Sequence, residues 1–177
     1  MPFAYYDRLS RRERGIYDRS DGVSAIEVPL AAQLRPLVGL LAAALQSDRR
    51  PDVEAVANRL CLGVTRALGV EDVAVVVLAV RPTLREAELH GLYTRDGRRT
   101  PRIRVWMRTV HYKRVVAFRT FLRTLLHEVC HHLDYTCLEL EDSFHTEGFF
   151  KRESSLFYQL VPREAEAGGP ATRRGGR

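Results

Sequence analysis

The sequence predicts an α+β fold, a small mixed sheet packed against one long helix with additional helices around it. Three observations carry that expectation. From Val115 to Leu133 apolar residues recur at helical spacing with no Gly or Pro between them. Val73 to Val80 is an unbroken apolar, β-branched run, the pattern of a strand covered on both faces. Two further strand-like segments, Ala87 to Thr94 and Arg102 to Met107, flank Asp96-Gly97, a dipeptide suited to a tight turn. The 177 residues suggest one domain, large enough to bury about 70% of its unfolded surface without covalent staples.

Residues 1–24 form a basic and aromatic N-terminal segment. Ser10 and Glu13 have capping-box spacing, so a short helix is expected from Arg11 to about Arg19, clamped by Ile16 and Tyr17. Leu34, Leu37, Val38, Leu41 and Leu45 then keep helical period within Leu30 to Gln46, with Pro36 near the first turn. A second helix should begin at Pro51 and stop at Gly69. Val73 to Val80 reads as the central strand. Ile103, Val105 and Met107 alternate with Arg102, Arg104 and Trp106, and this later strand is assigned to a sheet edge that can bind an extended peptide. A final helix is expected over Glu147 to Leu160, closed by Pro162. The main domain spans 25–161, and 162–177, rich in Gly, Ala, Glu and Arg, is expected to be a disordered tail.

The chemistry is concentrated in the long helix, where Leu126-His127-Glu128-Val129-Cys130-His131-His132 carries an H-E-x-x-H motif. Residues four apart lie on one helical face, so both imidazoles can reach one ion. The apolar stripe and the stripe Thr120, Thr124, His127, His131 fall on roughly opposite sides. Glu128 is placed to bond a metal-bound water, the position of a general base. A catalytic zinc site needs three protein ligands and an open position. His145 in Asp142-Ser143-Phe144-His145-Thr146-Glu147-Gly148-Phe149-Phe150 is the favoured third ligand. Glu147 is its main rival, and Glu139, Glu141 and Asp142 are weaker ones. Cys137 stands where an elongated motif would place a third ligand, but Asp134 replaces the glycine that turns such a chain.

The arrangement of H-E-x-x-H, a short linker and His145-Thr146-Glu147-Gly148-Phe149 resembles the minimal zincin core of SprT-like and Spartan-type metallopeptidases. The likeness runs in element order from about Asp52 to Leu160 and is specific over His127 to Phe150. It implies a zincin-like fold, a Zn2+ cofactor held by His127, His131 and His145, and Glu128 as base. No C-x-x-C pair follows, so no zinc ribbon is implied after the protease core.

The expected reaction is peptide-bond hydrolysis by a metal-activated water, with Glu128 taking the proton and returning it to the leaving amine. Tyr112, Tyr135 and Tyr158 are candidates for the oxyanion donor. Asp134 is placed to orient His131, His132 to lie outside the ligand set or in solvent, and His90 and His111 at the surface. Phe149 is expected to pack under the metal loop. The net charge of +6 favours acidic partners, nucleic acid among them, although no DNA-reading module is present. Three unpaired cysteines, no leader-like N-terminus and no membrane-length apolar run suggest a cytoplasmic protein acting on a peptide or protein substrate. The alternative is a non-enzymatic nucleic-acid- or protein-binding module with a structural metal site.

Overall fold

The computed structural model describes residues 3–80, 91–109 and 112–161. Among these residues, five α-helices and a three-stranded sheet build a mixed α+β architecture. Helix α1 (Arg11–Asp21) begins with the expected capping box, Ser10 and Glu13 each accepting from the other's backbone N–H. Ile16 and Tyr17 bury against the domain. Pro36 and Pro51 stand in the first turns of α2 (Arg35–Gln46) and α3 (Arg50–Leu68), where a missing N–H costs no helical bond. Gly69 ends α3 in the left-handed conformation, φ 67°, which a Cβ would disfavour.

Strands β1 (Ala74–Val80), β2 (Gly91–Thr94) and β3 (Arg102–Arg108) lie in the order β1-β3-β2, with β1 parallel and β2 antiparallel to β3. This corrects two expectations. Among the described residues the central strand is β3, so Ile103 to Met107 is not an edge open to substrate, and Val73 to Val80 is not central. An apolar run reports burial, not position in a sheet. The outer side of β1 is covered by polar side chains of α3. Asn58 brackets Val75, donating to its carbonyl at 2.7 Å and accepting from its N–H at 2.8 Å. Glu54 accepts from Val77 N–H at 2.8 Å, and Arg50 donates to Val77 carbonyl at 3.0 Å. These bonds satisfy an edge that would otherwise expose unpaired backbone.

Val75, Val77, Ile103, Val105 and Met107 join apolar residues of α2, α3, α4 (Phe118–Thr136) and α5 (Glu147–Leu160) in one core. Helix α4 packs on β2, β3 and α5, and α1 packs on α5. Among the described residues no helix is long and apolar enough to cross a membrane. Ala87 to His90, His111 and the 162–177 tail lie outside the described residues.

Candidate metal centre and its cleft

Helix α4 presents His127 and His131 one turn apart on its polar face, and the chain returns through 137–146 to aim His145 at the pair. Cys137 ends the helix, its N–H donating to the Leu133 carbonyl at 2.8 Å. The chain then turns at Glu139, φ 51°, so a non-glycine residue makes the turn. The Nε2 atoms converge. His145 Nε2 lies 3.0 Å from His127 Nε2 and 3.1 Å from His131 Nε2, and the three ligand atoms fall within 4.8 Å of one another.

Each helical imidazole is oriented from behind. His127 Nδ1 lies 3.1 Å from the Glu153 carboxylate on α5. His131 Nδ1 lies 2.7 Å from Ser143 Oγ, which itself donates to Asp134 Oδ2 at 2.7 Å. With that hydroxyl proton committed, Ser143 accepts from His131 Nδ1–H, leaving the His131 Nε2 lone pair facing the centre. The expected help from Asp134 to His131 therefore runs through Ser143 and is not a direct contact. Asp134 is in turn held at 2.8 Å by Arg152, and both side chains are fully buried. Arg152 also donates to the carbonyls of Ser20 and Val23 at 2.5 Å, tying the ligand support to α1.

This geometry fits a metal ion. A single Nε2–H on His145 can face only one of its two neighbours, whereas a cation satisfies all three lone pairs. Imidazole nitrogens at 2.0–2.1 Å from a tetrahedral zinc lie about 3.3 Å apart, close to the separations found here. Burial and the two neighbouring imidazoles push His131 down to about 3, and burial lowers His145. Both are neutral at physiological pH, as a ligand must be. Phe149, fully buried, places its ring 4.7–5.1 Å from all three imidazole centroids, giving the cluster the expected apolar floor.

Glu128 faces the other wall. It is 6% exposed, and burial raises its carboxyl to about 7 against the lowering effects of His127 and a hydrogen bond from the Tyr93 backbone N–H. Gly91 is what lets β2 come this near: a Cβ there would stand 2.4 Å from Glu128 Oε1. His132 is neither a ligand nor solvated. It is buried, with Nε2 2.8 Å from the Glu71 carbonyl and Nδ1 3.1 Å from Tyr93 Oη, pinning β2 and the approach to β1 onto α4.

A cleft of about 570 Å³ joins these groups, lined by the three histidines, Glu128, Gly91 and Tyr135 among others. Tyr135 donates to Asp142 at 3.3 Å; Tyr112 and Tyr158 are not lining residues. Glu147 is outside the cluster and pairs with Lys151 at 2.7 Å at the start of α5. Glu139, Glu141, Asp142 and Cys137 also stand outside it.

Gly91, Ser143, Arg152 and Glu153 are the contributors that the motif does not reveal. Ser143, two residues before His145, carried the nearest signal, a hydroxyl in the ligand loop. No protein-family model, curated protein or solved structure matches this chain.

Proposed function

We propose that the protein is a zinc-dependent metallopeptidase of minimal zincin type. The observation that carries this reading is the convergence of His127, His131 and His145 Nε2 in the same cleft as a buried carboxyl, Glu128. Zinc held by three imidazoles activates a water molecule and polarises a carbonyl.

The surrounding residues suit that chemistry. Glu153 and the Ser143–Asp134 pair hold His127 and His131 in orientation. Glu128, raised to about 7, is matched to neutral pH, where its carboxylate can take a proton from water and later deliver it to a leaving amine. Tyr93 N–H points away from β3 to Glu128, and Gly91, two residues earlier, shares that side. The outer edge of β2 thus supports binding of an extended peptide beside the base. Peptide or protein is accordingly the proposed substrate. The three free cysteines are consistent with a reducing, cytoplasmic location.

The test is hydrolysis of unfolded casein by the zinc-loaded protein beside Glu128→Gln. The expected result is cleavage by the wild type, abolished by chelation and lowered at least ~100-fold in Glu128→Gln, with zinc retained. No cleavage of casein or of a mixed peptide library by the zinc-loaded wild type would overturn the peptidase reading in favour of a structural metal site.

A further inference from the structure

The cleft does not end at Tyr135. Tyr93 and Tyr135 also wall a second depression with Arg95 and Gly97, and Arg95 in turn lines a pocket of about 200 Å³ with Arg99, Arg102 and Arg104. The histidine cleft and the second depression share the two tyrosines, which stack at 6.0 Å. The arginine pocket meets that depression at Thr94 and Arg95, while Arg102 and Arg104, paired with Thr94 and Leu92, project from the sheet face opposite Gly91 and Tyr93. The Arg95 guanidinium lies 5.5 Å over the Tyr135 ring, at the junction.

Among the described residues, no acceptor engages the guanidinium groups of these four arginines by a hydrogen bond or ion pair. Asp96 is the single carboxylate in the pocket lining. Its Oδ1 accepts from the backbone N–H groups of Arg98 and Arg99 at 3.0 and 2.9 Å, so it folds the turn and offsets one charge of four. Glu71 and Asp142 stand beside the tyrosine pair and are not part of the pocket lining.

We propose that this pocket binds an acidic stretch of the polypeptide substrate, so that the enzyme selects chains carrying Asp or Glu a few residues from the bond it cuts. This rests on the metallopeptidase reading for its consequence, while the binding site stands on its own residues. Four residues of strand separate Gly91, beside Glu128, from Arg95, about 13 Å at strand rise. A chain laid along β2 alternates its side chains between the two faces of the sheet, so a side chain three to five residues from the reacting bond and directed to the face of Thr94 meets the arginines. Guanidinium pairs well with carboxylate. A pocket of this size takes one or two carboxylate side chains, and its continuity with a strand edge favours polypeptide over nucleic acid.

The test measures binding to the full-length protein of three fluorescein-labelled probes: hexaglutamate, hexaglutamine and a six-nucleotide oligothymidylate. Wild type is compared with Arg99→Glu/Arg102→Glu, whose positions are exposed, and with His145→Ala. Hexaglutamate is expected to bind wild type at least ~10-fold more tightly than hexaglutamine, weakening with salt. The double variant should lose that preference and, with a fourth labelled probe, hexalysine, bind it more tightly than wild type does, a reversal that lost folding would not produce. Equal binding of the glutamate and glutamine peptides, or no loss in the double variant, would overturn the proposal. Tighter binding of the oligonucleotide, abolished by the same variant, would overturn it in favour of a nucleic-acid site. Retention of hexaglutamate binding in His145→Ala is expected, and its loss would contradict a site separate from the metal. If binding follows this pattern while no peptide is hydrolysed, the peptidase reading fails and the acidic-peptide site stands.

Discussion

Among the described residues, β1 and β2 are the two outer strands of the sheet and present opposite edges. Along β1, Arg50, Glu54 and Asn58 of α3 bond the backbone of Val75 and Val77, so the edge is closed to another chain. Along β2 the outward Tyr93 N–H meets the Glu128 carboxyl, and that edge borders the cleft. The closed edge is held by neutral and surface-linked hydrogen bonds that contribute stability and no chemistry. The open edge carries a carboxyl buried at a cost, which is how a protein stores reactivity. On the proposed reading, stability and function are thus divided between the two sides of one small sheet.

The largest effect is expected on the open side. In zinc-free protein the folded Glu128 carboxyl ionises near 7 and the unfolded one near 4.5. Between those values the folded state holds more protons, so stability falls as pH rises from about 4.5 to 7 and is flat outside that window. The whole shift corresponds to about 3 kcal/mol. Glu128→Gln should remove this slope and be more stable than wild type above pH 7, as read by urea unfolding of the zinc-free proteins across pH. Equal slopes would show that Glu128 is not held at a cost.

Opening the closed edge should cost less and leave the metal alone. Asn58→Ala removes two bonds to Val75, a loss of about 2 kcal/mol in urea unfolding, with zinc affinity unchanged. A change in zinc affinity would show that the two edges are coupled.

The smallest stability effect is expected at Gly91. Its Cβ in Gly91→Ala presses on Glu128 Oε1, which must shift; overpacking of this kind costs about 1 kcal/mol. Peptide hydrolysis should fall at least ~10-fold because the base is displaced, while zinc binding is retained. Full activity in Gly91→Ala would break the link between the β2 approach and the base.

The sequence makes the helices legible because each carries a strong 3.6-residue period or a capping signal: Ser10 with Glu13, Pro36, Pro51, Gly69. The three histidines are legible for a similar reason, since helical spacing sets two of them and the aromatic-flanked loop points to the third. Strand order is not legible. Val73 to Val80 reads as central because its apolar content reports burial, while the groups that close its edge lie on α3, 17 to 27 positions before the residues they bond, at polar residues that resemble an ordinary solvated face. The supports of the ligands are hidden likewise. Arg152 and Glu153 belong to α5 and meet α4 only in the folded chain, and Arg152 is a charge fully buried, which composition would place outside. The turn of the helix places His132 off the ligand face, but its partners, the Glu71 carbonyl and Tyr93 Oη, lie in distant parts of the chain that no motif links to it.

The central claim is the three-histidine centre, and zinc titration of chelator-stripped protein by calorimetry tests it most directly. Wild type and Glu147→Ala are expected to bind one zinc per chain with equal affinity, and His145→Ala to bind it more than ~100-fold more weakly, beyond the range of losing an outer support. Unchanged affinity in His145→Ala, or no zinc bound by the wild type, would contradict the account.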